Sequence, residues 1–154
     1  MGFATHLGPW LLGTVKDTTG TTAGTMRNTG ACITVQQTPV AYTDAATAKA
    51  FVLPAGASIS IVNLFITTAF TSGTTATITL FVNGTSIGAT TISGLSTGRN
   101  ALTIGTSNPT LLTNVGAPDA VITYTIATAT AGAGVLECHY IVRNSDGALY
   151  PASA

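Results

Sequence analysis

Three residues near the end of the chain have the types and spacing for acid–base chemistry. Glu137, His139 and Arg143 stand at i, i+2 and i+6, so on a β-strand they lie on one face. Glu137 and His139 could then share a hydrogen bond, and the imidazole could change its charge with pH. A solvated or intersubunit strand face explains the same residues without chemistry, and we favour that interpretation.

Cys138 and His139 are adjacent, which sends their side chains to opposite faces of a strand. They cannot act as a nucleophile and its base, or bind one metal ion, unless the strand is broken. We therefore interpret Cys138 as a small core residue. The second cysteine, Cys32, is far away in the sequence, and the pair fits neither a CxxC motif nor a zinc spacing. Whether the two form a disulfide stays open.

The remaining groups that could support catalysis are scattered. The sequence contains no P-loop or GxGxxG motif, and His6 has no partner nearby. The carboxylates stand singly, whereas a glycosidase pair or a calcium loop needs them clustered. We predict no catalytic residue, no metal site and no cofactor, and hence no enzyme. The five carboxylates are Asp17, Asp44, Asp119, Glu137 and Asp146.

A short apolar segment stands out in the first 30 residues. Pro9, Trp10, Leu11 and Leu12 precede a stretch rich in threonine and glycine at 17–25. An aromatic ring and two leucines in such a segment need a pocket, and tryptophan is a frequent interface anchor. We predict that these four residues bind a partner. The pocket could lie on the chain's own sandwich or on a neighbouring subunit, and the neighbour is favoured.

From residue 31 onward the pattern is that of β-strands. Threonine, valine and isoleucine dominate, and turn dipeptides recur about every ten residues, as in a sandwich or jelly roll. We predict an all-β fold with a single β-sandwich or jelly-roll-like domain at 31–143. An extended N-terminal arm and linker at 1–30 and a C-terminal turn and tail at 144–154 flank it. The predicted strands are 31–37, 49–53, 58–69, 76–82, 86–92, 100–104, 110–113, 120–127 and 135–143.

Local signals refine this outline. A slip of the apolar alternation at Ile61-Val62 predicts a bulge or a strand buried on both faces. Asn83-Gly84 predicts a type I′ turn between two strands. Residues 71–74 are predicted to form a hairpin, residues 129–134 to connect the last two strands, and residues 44–50 are the one candidate helix.

The charge content narrows the class of protein. Five basic residues balance five acidic ones, and only 6% of residues are charged, where about 25% is usual. The positive mean hydropathy excludes a disordered chain, and no basic patch exists for sequence-independent nucleic-acid binding. Hydroxyl and amide groups must form the polar surface, because 31 of the 154 residues are threonine. Such a surface packs against partners without burying ions, which predicts a subunit of an assembly.

Targeting signals are not expected. The N-terminal segment lacks a basic region, and Gly8, Pro9 and Gly13 interrupt its apolar run, so it does not read as a signal peptide. The sequence has no run of about 18 apolar residues, so we predict no transmembrane helix. We expect no membrane or nucleic-acid partner and assembly in a host cytoplasm.

Two stretches resemble small β-rich head proteins of tailed phages that decorate or cement capsids. One is MRNTG at 26–30, which runs into a strand that ends at Gln36-Gln37. The other is FVLPAGA at 51–57, followed by a long apolar strand that ends in TTAFTSG at 67–73. The resemblance covers about residues 26–75 and rests on turns and strands.

The resemblance implies a virion protein on the outside of an assembled shell. Such proteins are often trimers and bridge subunits of the major capsid protein, so a homo-oligomer, with a trimer favoured, is expected. Residues 1–25 would be the arm that lies along the shell, with Trp10, Leu11 and Leu12 as its anchors. A head-fibre or tail component is the alternative. A carbohydrate- or cell-surface-binding module is disfavoured, because the chain has one tryptophan and dispersed tyrosines.

Overall fold

Two four-stranded antiparallel sheets form the framework of residues 33–142, the part of the chain that the computed structural model describes. The first sheet has the order β1-β8-β3-β6 and the second the order β2-β7-β4-β5. The predicted all-β sandwich is confirmed. The elements are β1 (Ile33–Ala41), β2 (Ala48–Leu53), β3 (Ser58–Thr71), β4 (Thr77–Val82), β5 (Thr85–Thr91), β6 (Gly98–Ala101), α1 (Thr110–Thr113), β7 (Ala120–Ala127) and β8 (Ala131–Ile141).

The core lies between the sheets and follows from the two-residue period of the strands. In β4 the aliphatic side chains are buried and alternate with half-buried Thr77, Thr79 and Phe81. In β8 the same alternation buries Leu136, Cys138 and Tyr140, which confirms Cys138 as a core residue. Each fully buried aliphatic side chain stabilises the fold by about 1.5–3 kcal/mol. The largest fully buried side chains are Leu53, Leu64, Ile66, Ile78, Leu80, Ile87, Ile92, Ile122 and Leu136.

The bulge predicted in β3 is present. The pairing of β3 with β8 shifts between Ile59 and Ile61, so that Ile59 and Val62 are both buried although three positions separate them. Ile61, between them, is exposed on the outside of the sheet. The bulge therefore keeps both halves of a long strand in register with the core.

The turn predicted at Asn83-Gly84 is also confirmed. Both residues have positive φ, 48° and 82°, as a type I′ turn requires, and they join β4 to β5. The Asn83 side chain accepts a hydrogen bond from the Val121 N–H at 2.8 Å. Asparagine here both adopts the turn and attaches it to β7.

Two short predicted elements were wrong. Residues 44–50 are not helical: Asp44 accepts a hydrogen bond from the Ala41 N–H at 2.7 Å, which fixes a turn, and β2 already begins at Ala48. Residues 110–113, predicted as a strand, form the single helical turn α1. Pro109, with φ −60° and ψ −23°, already has helical geometry just before it.

Two connections in the structure also differ from the predicted ones. Residues 71–74 do not form a hairpin, because β3 belongs to the first sheet and β4 to the second, so this segment crosses between sheets. Strand β8 begins at Ala131, inside the predicted connection 129–134. Gly132 permits this with a φ of 133° and a close approach to the Phe70 ring, where a Cβ atom would lie 2.2 Å from Cδ1.

Side-chain and loop hydrogen bonds engage two of the open edges, and a third edge strand is short. On one side, Gln36 donates to the Val52 carbonyl at 2.9 Å and Thr38 to the Ala50 carbonyl at 2.5 Å, which joins β1 to β2. On the other side, the Gly105 N–H donates to the Ile87 carbonyl at 2.7 Å along β5. The remaining edge strand, β6, has four residues. These contacts occupy carbonyls of β2 and β5 and make those two edges poorer templates for an additional strand.

Candidate functional site

The outer surface of the first sheet carries side chains from all four of its strands. Directly opposite residues in an antiparallel sheet project from the same face, so the strand register defines this surface. We call it the Glu137 face. It comprises Ile33, Val35 and Gln37 of β1, Val135, Glu137, His139 and Ile141 of β8, Ile61, Asn63 and Phe65 of β3, and Arg99 and Ala101 of β6.

Glu137 lies at the centre of a hydrogen-bonded cluster on this face. Its Oε1 accepts from Arg99 Nη2 at 2.7 Å, from His139 Nε2 at 2.7 Å and from Asn63 Nδ2 at 3.3 Å. Its Oε2 accepts from Gln37 Nε2 at 2.8 Å. Every strand of the first sheet thus contributes at least one side chain, and both carboxylate oxygens are engaged.

These contacts fix the charge of the cluster. Hydrogen bonds from His139 and Gln37, with smaller contributions from Asn63 and the Arg99 guanidinium, lower the pKa of Glu137 from 4.5 to about 2, although partial burial opposes the shift. An ionised carboxylate only accepts, so His139 Nε2 must carry the proton. The 3.3 Å approach of Arg99 Nη2 to His139 Nε2 is therefore a contact between two donors.

Apolar side chains surround this polar cluster. Ile33, Val35, Ile61 and Phe65 are between 36% and 59% exposed, which is unusual for such large hydrophobic residues on one face of one sheet. A shallow cavity of about 260 Å³ opens at the centre. It is lined by Gln37, Asn63, Phe65, Arg99, Val135 and Glu137.

The outer surface of the second sheet is chemically different. The half-buried residues that alternate with the buried ones in β4 and β7 are mainly threonines, together with Phe81 and Val121, and Thr79 and Thr125 lie directly opposite each other. Val52, at the edge in β2, is 53% exposed. Both salt bridges found within residues 33–142, by contrast, involve Glu137 and therefore lie on the first sheet. The two outer faces therefore offer a partner an apolar, ion-paired surface and a hydroxyl-rich one.

The arrangement is poorly suited to acid–base or nucleophilic chemistry. Glu137 is fully hydrogen-bonded, and its low pKa makes it a weak base. Burial raises the pKa of Cys138 to about 12, and the side chain points into the core, away from His139. Within residues 33–142, no group of three His, Cys, Asp or Glu side chains could hold a metal ion.

The structure brings together only some of the residues that their types and spacing had suggested for acid–base chemistry. The predicted hydrogen bond between Glu137 and His139 is confirmed. The cation of the cluster is Arg99, 38 positions away in the sequence, and the sequence reasoning missed it. Only the register of β6 on β3 places Arg99 there.

Several predictions fall on residues outside the described part of the chain. They concern Arg143, Cys32 and the anchors Pro9, Trp10, Leu11 and Leu12. The arm at 1–30 and the tail at 144–154 lie outside it too. In the described segment, no helix is long and apolar enough to cross a membrane.

Comparisons with known proteins find similarity in structure alone. No protein-family model matches the chain. No curated protein sequence matches it either. Among solved structures, a chain of the acidic stable capsid structure of Helicobacter pylori bacteriophage KHP30 superposes with a TM-score of 0.54 and 11% identity, covering 73% of this chain and 89% of that chain. A chain of the cyanophage Pam1 capsid asymmetric unit gives a TM-score of 0.50 and 19% identity, covering 84% and 99%. At these identities the similarity is one of fold.

Proposed function

We propose that this chain is a non-enzymatic virion structural protein that binds the outer surface of a phage capsid and stabilises it by bridging subunits of the major capsid protein. The observation that carries the proposal is the Glu137 face. It exposes four large apolar side chains around an ion-paired cluster whose arginine and carboxylate neutralise each other. A surface of this kind is stabilised by a partner that covers the apolar groups.

The edges of the sandwich favour contact through its faces. The hydrogen bonds that Gln36 and Thr38 donate to β2 and that Gly105 donates to β5 leave fewer free carbonyls for a partner strand on those two edges. The small number of charges supports the same conclusion, since few ions must be desolvated when the surface is covered.

The structural comparisons support a virion role for this fold. Both similar chains belong to phage capsid structures, as the descriptions of those structures state. The sequence resemblance to decoration and cement proteins points to the same class. We therefore propose a location in the virion, after assembly in the host cytoplasm, and a homotrimer as the bridging unit. Many modest contacts on a symmetric shell add up through avidity.

The segment Pro9, Trp10, Leu11 and Leu12 supplies the second contact in this proposal. Its apolar side chains would anchor the arm on the shell, so that each copy holds the capsid by the arm and by the sandwich. The sequence composition of the arm supports this role, because an aromatic anchor in a Thr- and Gly-rich segment binds mainly through that anchor.

Binding to shells tests the proposed function. The full chain is mixed with empty, expanded capsid shells of the phage that encodes it, prepared without this protein, and in parallel with polysaccharide. We expect regular, saturating density on the shells by electron cryomicroscopy and a higher melting temperature of the shells by calorimetry. Absence of shell binding, or binding to polysaccharide alone, would contradict the proposal.

A pair of full-length variants tests the arm. Leu11→Ser with Leu12→Ser should weaken shell binding, whereas Thr21→Ala with Thr22→Ala, in the same arm, should not. Equal binding by both variants would show that the apolar segment is not an anchor.

A further inference from the structure

We propose that the Glu137 face docks a segment of the capsid protein that presents a carboxylate, and that this carboxylate binds the outward edge of the Arg99 guanidinium. The inference rests on the proposed function and adds to it the surface used and the chemistry of the partner. Arg99, Phe65 and Val35 are the residues that recognise this segment.

Arg99 has hydrogen-bonding capacity that the cluster does not use. A guanidinium has five N–H donors in a fixed planar fork, and within residues 33–142 only Nη2 is engaged. The side chain is 56% exposed although it is held in place by Glu137. The ion pair therefore orients the guanidinium, while Nε and Nη1 have no hydrogen-bond partner within residues 33–142. Two parallel hydrogen bonds to a carboxylate are the arrangement that such a fork fits best.

The carboxylate of the Glu137 face is already bonded. Glu137 accepts from Arg99, His139, Asn63 and Gln37. A second copy that docked by its own Glu137 face would bring another Arg99 and an occupied carboxylate. The donors that Arg99 has left therefore favour a different protein, one that supplies a second carboxylate.

The apolar residues on either side fit a protein segment. Phe65 lies directly across from Arg99 in the register of β3 and β6, and it is half exposed. Val35 and Ile61 flank His139 from the two neighbouring strands. An arginine and an aromatic ring at the centre of an apolar patch are the residues that most often dominate the energy of an interface.

Two sets of full-length variants test the surface by co-sedimentation with untreated shells. Arg99→Ala should lower the affinity at least tenfold, and Arg99→Lys should fall between it and wild type, because lysine keeps the charge and loses the two parallel bonds. Val35→Glu should also lower the affinity. Its control is Val52→Glu, because both valines are on edge strands and similarly exposed, at 45% and 53%, but lie on opposite outer faces.

Chemical treatment of the shells tests the carboxylate. Carbodiimide and ethanolamine convert exposed carboxylates on the shells to neutral amides. The affinity of wild type should then fall to that of Arg99→Ala, whose own affinity should not change. Unchanged binding of wild type, or an equal loss for both proteins, would overturn the inference.

The outcomes separate this inference from the proposed function. If wild type does not bind untreated shells, the proposed function fails. If wild type binds and the Arg99 and Val35 variants bind equally well, the function stands and the inference fails. If Val35→Glu instead changes the sedimentation coefficient of the free protein, the occupant is a second copy, which also overturns the inference. Thermal unfolding checks the fold of each variant, and Arg99→Lys carries the test if Arg99→Ala does not fold.

Discussion

Replacement of Glu137 by glutamine removes the group that holds the four strands of the first sheet together on its outer face. The four donors would then share the single side-chain oxygen of glutamine, and its NH2 group would face another donor. Asn63 is only 3% exposed, so its amide cannot turn to water, and an unpaired buried donor costs about 1–3 kcal/mol. The loss of the ion pair with the half-exposed Arg99 adds about 0–1 kcal/mol to this destabilisation. We expect a loss of about 2 kcal/mol, or roughly 8 °C in melting temperature.

The pH dependence of this loss has a definite sign. The pKa of Glu137 is about 2 in the folded chain, against 4.5 as its ordinary value. The folded state therefore favours the ionised form, and the stabilisation is complete above pH 4.5 and declines as the pH falls toward 2. The difference between wild type and Glu137→Gln should be constant near neutral pH and should shrink across that window.

Urea unfolding followed by circular dichroism at several pH values between 7 and 2.5 measures both quantities. Asp119→Asn is the matched control. It removes the same charge from an exposed turn, and its amide oxygen can still accept from the Ala55 N–H. We expect it to cost less than about 0.5 kcal/mol, as for ordinary surface changes. A stability difference for Glu137→Gln that is the same at pH 3 and pH 7, or an equal loss in the control, would refute the reasoning.

Two further substitutions probe the packing of the sandwich. Gly132→Ala should destabilise the fold by about 3 kcal/mol, because a Cβ atom would collide with the Phe70 ring and the φ of 133° disfavours a side chain. Its control is Gly73→Ala, which should change the urea midpoint very little, because a Cβ atom at Gly73 would have no other atom within 4 Å. Tyr124→Phe should cost about 1–2 kcal/mol in the same assay, because it removes the buried hydroxyl that donates to Asp44. Burial, together with this hydrogen bond, raises the pKa of Tyr124. A midpoint equal to that of wild type would contradict the bond.

The long strands were predictable because their alternation is strict. In β4 and β8 every second residue is apolar, and a period of two specifies both the strand and its buried face. The short segments at 44–50 and 110–113 were not predictable, because four to seven residues are too few to show a clear hydrophobic period. Contacts from distant positions, such as that between Asp44 and Tyr124, decide their conformation.

The candidate site was predictable only where its residues share a strand. Glu137 and His139 are two positions apart on β8, so their proximity follows from strand geometry. Gln37, Asn63 and Arg99 come from three other strands, and the sheet order that brings them to Glu137 is a property of the whole fold. No pattern local to any of these strands encodes that order.

The side-chain bonds that Gln36 and Thr38 make to β2 have a consequence for how the protein can accumulate. Unprotected strand edges allow open-ended polymerisation into fibres, a hazard that grows with concentration. The β2 carbonyls that Gln36 and Thr38 already bind are not free to pair with a strand of another copy, so this edge is less prone to such polymerisation. Association through the outer faces of the sandwich, by contrast, saturates once each face is covered.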